Sequence, residues 1–388
     1  MYLSHTKPNA DSIIAKAVRN LSKNYRSDSL SHKLFYRETS YMDFEKLAFE
    51  IKKASHVKKK QLKDANESLT TMANSVMSSN YVHFTNFMGT LSVFNDSTKL
   101  DVEQANKIIN AKKDFSLDNI QEKAQHIVLK YLDTTLTYKL KSGLFKAEDS
   151  LSLANNNTAE DNKQEFEIKE LKSNANSVLN RIQPNPNSLL KKLLDAKYYS
   201  YTLQDVSFYN NTMVYTIQYK PRKAKAKYSG TIYIEDDSFA VLKTDYRYAK
   251  GKRGSKLNLR LILGIKYIEK ASTGTIIFKK NSDNWYVPRY AKHESGHYFY
   301  ISRPLKFIEN SRSKNKVLFE FKIEGVAKNK VELLFTNTTN ITSSTFDAVK
   351  ELKMIPYQKQ RKYDAALWGQ NETLAPTEEL KSFNATKN

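Results

Sequence analysis

From Lys197 to about Asn337 apolar and polar residues alternate, run after run, with short turns between the runs. Tyr199, Tyr201 and Leu203 open the series. After Asn210-Asn211 come Met213, Tyr215, Ile217 and Tyr219, and then Ile232 and Ile234. Asp236-Asp237 separates these from Phe239, Val241, Tyr246 and Tyr248. A period of two is the pattern of a strand with one face buried and one wet. Turns this short connect neighbouring antiparallel strands and leave no room for crossover helices. The series therefore predicts a large curved antiparallel sheet. Leu257, Leu259, Leu261, Leu263, Ile265 and Tyr267 alternate most regularly, which predicts a central strand over 257–267. On that reading Leu261→Asp would bury an unpaired charge and unfold the protein.

The flanking chain supplies helices and further strands. Asn9 can cap a helix carrying Ile13, Ile14, Ala17, Val18 and Leu21 on one face. Leu34–Thr39 and the Leu47, Phe49, Ile51 series read as two strands, closed by Lys58-Lys59-Lys60. Residues 61–133 read as a helical insertion, its best helix capped by Ser116 and running over 117–132. Asn155 to Asn162 reads as a polar loop. A helix with Phe166, Leu171, Val178 and Ile182 inward ends near Pro184, and Leu189, Leu190, Leu193 and Leu194 form the next. The expected architecture is a single α+β body over residues 1–355. In it, a strongly curved antiparallel sheet forms an open half-barrel from 34–53, 135–148 and 197–337. Helices from 10–22, 117–132 and 164–195 pack on its concave face, and 356–388 forms an extended polar tail.

Charge narrows the partners. With 63 Lys+Arg against 41 Asp+Glu the net charge is +22, which attracts polyanions such as nucleic acid or anionic headgroups. The absence of cysteine rules out disulfides, zinc–thiolate sites and thiol catalysis. No apolar run reaches the length of a membrane-spanning helix. The first eleven residues, MYLSHTKPNAD, lack the basic and apolar regions of a signal peptide. Two basic tips stand out: Arg222, Lys223, Lys225 and Lys227 in one, and Lys250, Lys252, Arg253 and Lys256 in the other. Together they could contact an anionic membrane surface, with salt-sensitive binding. Tyr246-Arg247-Tyr248 could stack nucleic-acid bases, but in a meander it reads as an amphipathic strand.

His293-Glu294-Ser295-Gly296-His297 matches HExxH, in which a helix places two histidines on one zinc ion beside a general base. Here Trp285–Pro288 precedes the motif and Tyr298–Ile301 follows it, and both flanks are strand-like. Gly296 is a poor residue for a helix interior. Tyr300 and Arg303 stand where the extended motif would carry Gly and a third His. In an extended strand, residues 293 and 297 are roughly 13 Å apart, too far to share one zinc, and the near downstream chain offers only Glu309 as a third ligand. No serine elbow GxSxG and no phosphate loop GxxxxGK[ST] is present in the sequence.

Several stretches resemble a family of Bacteroidetes cell-envelope proteins, the carboxypeptidase-like regulatory-domain-containing proteins. They are Leu34–Thr39 after a helix ending in Asn24-Tyr25, Tyr199–Val206 with Val214-Tyr215 and Tyr228–Ile234, Arg303–Asn310, and the tail with Tyr363-Asp364, Trp368 and Leu374–Leu380. The resemblance implies an envelope location, in the periplasm or at the outer membrane, and carries no catalytic residues with it. The order of elements also resembles the periplasmic lipoprotein-carrier fold, whose concave face holds acyl chains. The expectation is a non-enzymatic envelope protein without a cofactor, whose groove takes a hydrophobic ligand or a protein partner. A zinc hydrolase using His293, Glu294 and His297 is the first alternative, and a basic nucleic-acid-binding protein is the second.

Overall fold

The computed structural model describes residues 9–26, 29–55, 57–78, 81–109, 127–128, 130, 132–133, 135–142, 145–152, 164–185, 187–209 and 212–384. The Asn210-Asn211 turn, the polar loop at 154–162 and most of the helix expected over 117–132 lie outside them.

A long sheet organises the chain. In sequence order its strands are β1 (Leu30–Ala54), β2 (Tyr81–Phe94), β3 (Ser97–Ile108), β4 (Thr137–Ser142) and β5 (Phe145–Ser152). After β6 (Glu165–Glu167), which lies in a separate pair, come β7 (Tyr199–Tyr209), β8 (Thr212–Pro221), β9 (Tyr228–Glu235), β10 (Val241–Tyr248) and β11 (Lys256–Leu259). The series closes with β12 (Ile265–Lys280), β13 (Tyr286–Glu309), β14 (Lys316–Asn340), β15 (Met354–Pro356), paired with β6, and β16 (Gln358–Gln360). The spatial order is β16-β3-β2-β1-β14-β13-β12-β10-β9-β8-β7, antiparallel throughout except where β16 joins β3 in parallel. The sheet is curved and not closed. β1 returns to pair with β14 from Leu30↔Asn340 to Ala54↔Val317, so the first and last long strands lie side by side at its middle.

Helices cover the concave face. α1 (Ala10–Asn24) starts where Asn9 accepts from the amides of Asp11 and Ser12, and it buries Ile13, Ile14, Ala17 and Leu21. α3 (Ile168–Ile182) and α4 (Leu189–Leu193) join it over one apolar cluster, which also takes Leu34, Tyr36, Ile217, Ile232, Ile276 and Leu333 from the strands. α2 (Lys59–Met77) covers a second cluster at the other end of β1, with Phe44, Leu47, Phe49, Ile51, Phe319 and Ile323. β2 pairs with β1 from Leu30 to Met42, and beyond Met42 no strand among the described residues pairs with that edge of β1. There Asn66 of α2 accepts from the Ile51 amide and donates to its carbonyl, satisfying backbone groups that would otherwise be buried alone.

Four expectations need correction. The two strands expected at 34–39 and 47–51 are one 25-residue strand. The described part of 61–133 is not an all-helical insertion: after α2 the chain makes β2 and β3, beside β1 in the main sheet. The tail is more than extended chain. Trp368, Leu374 and Leu380 pack on the opposite face against Phe35, Met88, Phe84 and Ile108, with α7 (Glu378–Ser382) near its end. Finally, 257–267 is no central strand. β11 stops at Leu259, α5 (Arg260–Leu263) makes one helical turn, and Gly264 at φ 65° reverses the chain into β12. Leu261 is 100% exposed, so burial cannot be what set its alternation. A short helix, α6 (Ser343–Ala348), follows β14.

Candidate functional site

Between the two apolar clusters a polar and aromatic belt crosses the concave face. Register assembles it from strands far apart in sequence. Ser40 faces His83 on one side and Asn329 on the other, Asn329 faces Ser295, and Ser295 faces Ser272. Two residues along the strands, Glu38 faces Val331, Val331 faces His293, and His293 faces Gly274, which faces Tyr246. Side chains two apart point the same way, so each strand contributes alternate residues to the belt.

Glu38 is its most densely bonded member. One carboxylate oxygen accepts from the Tyr36 hydroxyl at 2.5 Å and from Asn174 of α3 at 3.2 Å. The other accepts from Ser40 at 3.2 Å and Asn329 at 2.9 Å. Four donors leave this carboxylate little capacity for a ligand. The side-chain carbonyl oxygen of Asn329, by contrast, is buried and has no hydrogen-bond partner among the described residues. A buried acceptor without a donor is costly, by about 1–3 kcal/mol.

The histidines sit on the same face of β13, each held by a tyrosine. Tyr246 hydroxyl lies 3.1 Å from His293 Nδ1, and Tyr267 hydroxyl 2.5 Å from His297 Nδ1. Gly274 permits the first contact: a Cβ there would come within 2.4 Å of the Tyr246 hydroxyl. Burial, aided by the nearby Arg181 charge, lowers His293 to about 4, and burial likewise lowers His297. Burial raises both tyrosines. Both rings are therefore neutral at pH 7, each with one protonated nitrogen; Nδ1 faces a tyrosine hydroxyl in both, and His297 Nε2 lies 3.0 Å from Ser295 Oγ. Tyr246 stacks with His293, Tyr228 with Tyr248, and Phe299 meets Phe44 edge-on. At the lower end Glu269 accepts from Tyr248 at 2.8 Å and from the Ser255 amide at 3.1 Å. Burial alone would raise that carboxyl; these two donors and His297 hold it below its usual range.

This geometry separates the members of HESGH. The segment is continuous strand, with His293 opposite Val331 and His297 opposite Ala327, so no turn draws the two rings together. Glu294 points to the other face and pairs with Lys292 at 3.1 Å. There it helps to line a groove of about 600 Å³ with Tyr41, Asp43, Lys328, Lys330 and Glu379. Glu309 is buried at the far end of β13, bonded by Asn315. Among the described residues no three His, Cys, Asp or Glu side chains come together as a metal site.

The basic residues cluster instead. The loop after β8 carries Arg222, Lys223, Lys225 and Lys227, and the loop after β10 carries Lys250, Lys252 and Arg253, with Lys256 opening β11. Lys252 Nζ donates to the Ala224 carbonyl at 3.0 Å and the Ala249 amide to Lys227 at 2.9 Å, so the two tips lie side by side. In the Tyr246-Arg247-Tyr248 run, both tyrosines join the belt and Arg247 is exposed. Glu38, Asn174, Asn329 and Ser272 gave no sequence signal, because only strand register brings them to the histidines.

Residues 153–288 match a family of unknown function, DUF5686. No curated protein sequence matches the chain. Solved structures similar to it include an outer membrane lipoprotein-sorting protein domain from Vibrio parahaemolyticus, at 8% identity, covering 86% of this chain and 94% of that one, with a TM-score of 0.26. A LolA superfamily protein from Nitrosomonas europaea follows at 6% identity, 88% and 98% coverage and a TM-score of 0.21. The MucA/MucB complex of Pseudomonas aeruginosa gives 8% identity, 90% and 100% coverage and a TM-score of 0.18.

Proposed function

We propose that the protein is a non-enzymatic carrier or receptor of the cell envelope, and that its belt takes an amphipathic ligand whose polar head donates hydrogen bonds. The observation that carries this reading is the unpartnered Asn329 carbonyl, buried in the middle of a row of Ser and His side chains. A hydroxyl or amine of the ligand head satisfies it. Half-buried Met42 and Phe299, packed against the second apolar cluster, border the belt and suit an acyl chain. Neutral histidines and protonated tyrosines offer hydrogen bonds without a net charge to neutralise. The envelope location rests on the sequence resemblance described above.

The test is competition against a fluorescent fatty-acid probe in the absence of vesicles. A monoacylglycerol, with two free hydroxyls, should displace the probe at least about tenfold more strongly than the methyl ester of the same fatty acid. Asn329→Leu should erase that difference while circular dichroism shows the fold intact. Equal potency of the two competitors on the unaltered protein, or no probe binding, refutes the reading.

A further inference from the structure

The hairpin made by β11, α5 and the start of β12 presents apolar side chains to water. Leu261 is 100% exposed, Ile262 72% and Leu257 46%. The turn beneath them is firmly built. The Gly264 amide bonds the Arg260 carbonyl at 3.1 Å, and the Ser302 amide bonds the Gly264 carbonyl at 2.8 Å. Arg303 Nε donates to the Leu263 carbonyl at 2.8 Å, and the Arg260 guanidinium lies 4.3 Å from the centre of the Tyr300 ring. Gly264 is required twice, by its positive φ and because a Cβ would meet the Ser302 carbonyl at 1.9 Å. A fixed turn that holds Leu and Ile out in solvent gains nothing for a chain surrounded only by water.

The surrounding charge identifies what covers it. From Lys250 to Ile268 the chain carries Lys250, Lys252, Arg253, Lys256, Arg260 and Lys266, and no acidic residue. The neighbouring loop, tied on through Lys252, adds Arg222, Lys223, Lys225 and Lys227. An apolar tip flanked by Arg260 and Lys266, on a hairpin whose base carries the two basic loops, matches an anionic bilayer, where the tip enters the acyl region and the basic loops face the headgroups. The sheet's other prominent apolar tip differs: Phe208 is 76% exposed, but the nearby side chains include Asp205 and Asp236.

We infer that Leu257, Leu261 and Ile262 form a membrane-inserting finger that docks the protein on anionic phospholipid bilayers, with the two basic loops as its electrostatic collar. The finger begins beside Glu269 and Tyr267, at the lower end of the belt. Docking does not depend on the belt's ligand, and it is measured without one.

The experiment is co-sedimentation of the full chain with vesicles of phosphatidylcholine and phosphatidylglycerol in equal parts, and with phosphatidylcholine alone. The protein should bind the anionic vesicles and lose at least about tenfold in partitioning in the double variant Leu261→Ser, Ile262→Ser, whose charge is unchanged. Leu261→Trp should show a blue-shifted emission on anionic vesicles, quenched by lipids brominated on their acyl chains. Undiminished binding of the double variant, or a tryptophan that stays in water, overturns insertion. Equal binding to phosphatidylcholine alone overturns the collar. Self-association in analytical ultracentrifugation that disappears in the double variant, without vesicle binding, assigns the finger to a second copy of the chain and also overturns the inference.

Discussion

Two leucines with the same sequence environment should respond oppositely to substitution. Leu333 and Leu261 each lie in an alternating apolar run, yet Leu333 is 0% exposed in the core over β14 and Leu261 is 100% exposed at a hairpin tip. Leu333→Ala removes three carbon groups from a site packed between β1 and β13. At about 0.8 kcal/mol for each buried carbon group, the transfer loss alone is about 2.4 kcal/mol. The cavity left behind takes the total into the range of about 2–5 kcal/mol. Leu261→Asp buries nothing and should lie within about 0.5 kcal/mol of the unaltered protein. Urea denaturation followed by tryptophan fluorescence reads both, at equal denaturant slope. A loss above about 1 kcal/mol for Leu261→Asp, or below that for Leu333→Ala, would show that the sheet is not arranged as described.

Acid should weaken the fold through its buried histidines. His32 and His293 are each lowered to about 4, chiefly by burial, so the unfolded chain takes up their protons first as pH falls below about 6.5. Their contribution is complete above that value and is lost between about 6.5 and 4, at up to about 3 kcal/mol each; His32→Gln should flatten the stability profile over that interval, and an unchanged profile would disprove the assignment. Arg37 is 2% exposed and donates to the Leu374 and Ala375 carbonyls at 2.8 Å each and to Asn86 at 3.2 Å. Arg37→Met should cost about 2–4 kcal/mol and release the tail to limited proteolysis after Trp368, whereas a tail as resistant as before would mean that Arg37 does not anchor it.

The parts of the fold that could be read from sequence were those wet on one face. β8, β9, β10 and β12 alternate because one side carries the core and the other meets solvent, and Asn9 announces α1. β2 escaped notice for the opposite reason. Its Phe87 and Leu91 face the helix-covered core while Phe84 and Met88 face the tail, so buried residues run almost continuously and no period appears. β3 was hidden by its polar residues; of these Asn106 is buried only because Asn86 and Gln360 bond to it. Over 257–267 the sequence kept the period of a strand without the burial that normally produces it, and Gly264 broke the chain in the middle. That mismatch between pattern and packing is what the inferred membrane finger rests on. In the belt, the histidines were visible as a motif belonging to a different backbone. Their actual partners, Tyr246 and Tyr267, follow from a register that spans strands 47 and 30 residues away.

The most direct test of the belt is a side-chain nitrogen–proton spectrum of the histidines, recorded while a short-chain monoacylglycerol is added. His293 and His297 should shift together and saturably, with one ring proton retained on each as expected for neutral rings, while His32 stays unmoved. Saturable binding that leaves both belt histidines unshifted, or shifts His32 alone, would contradict the account.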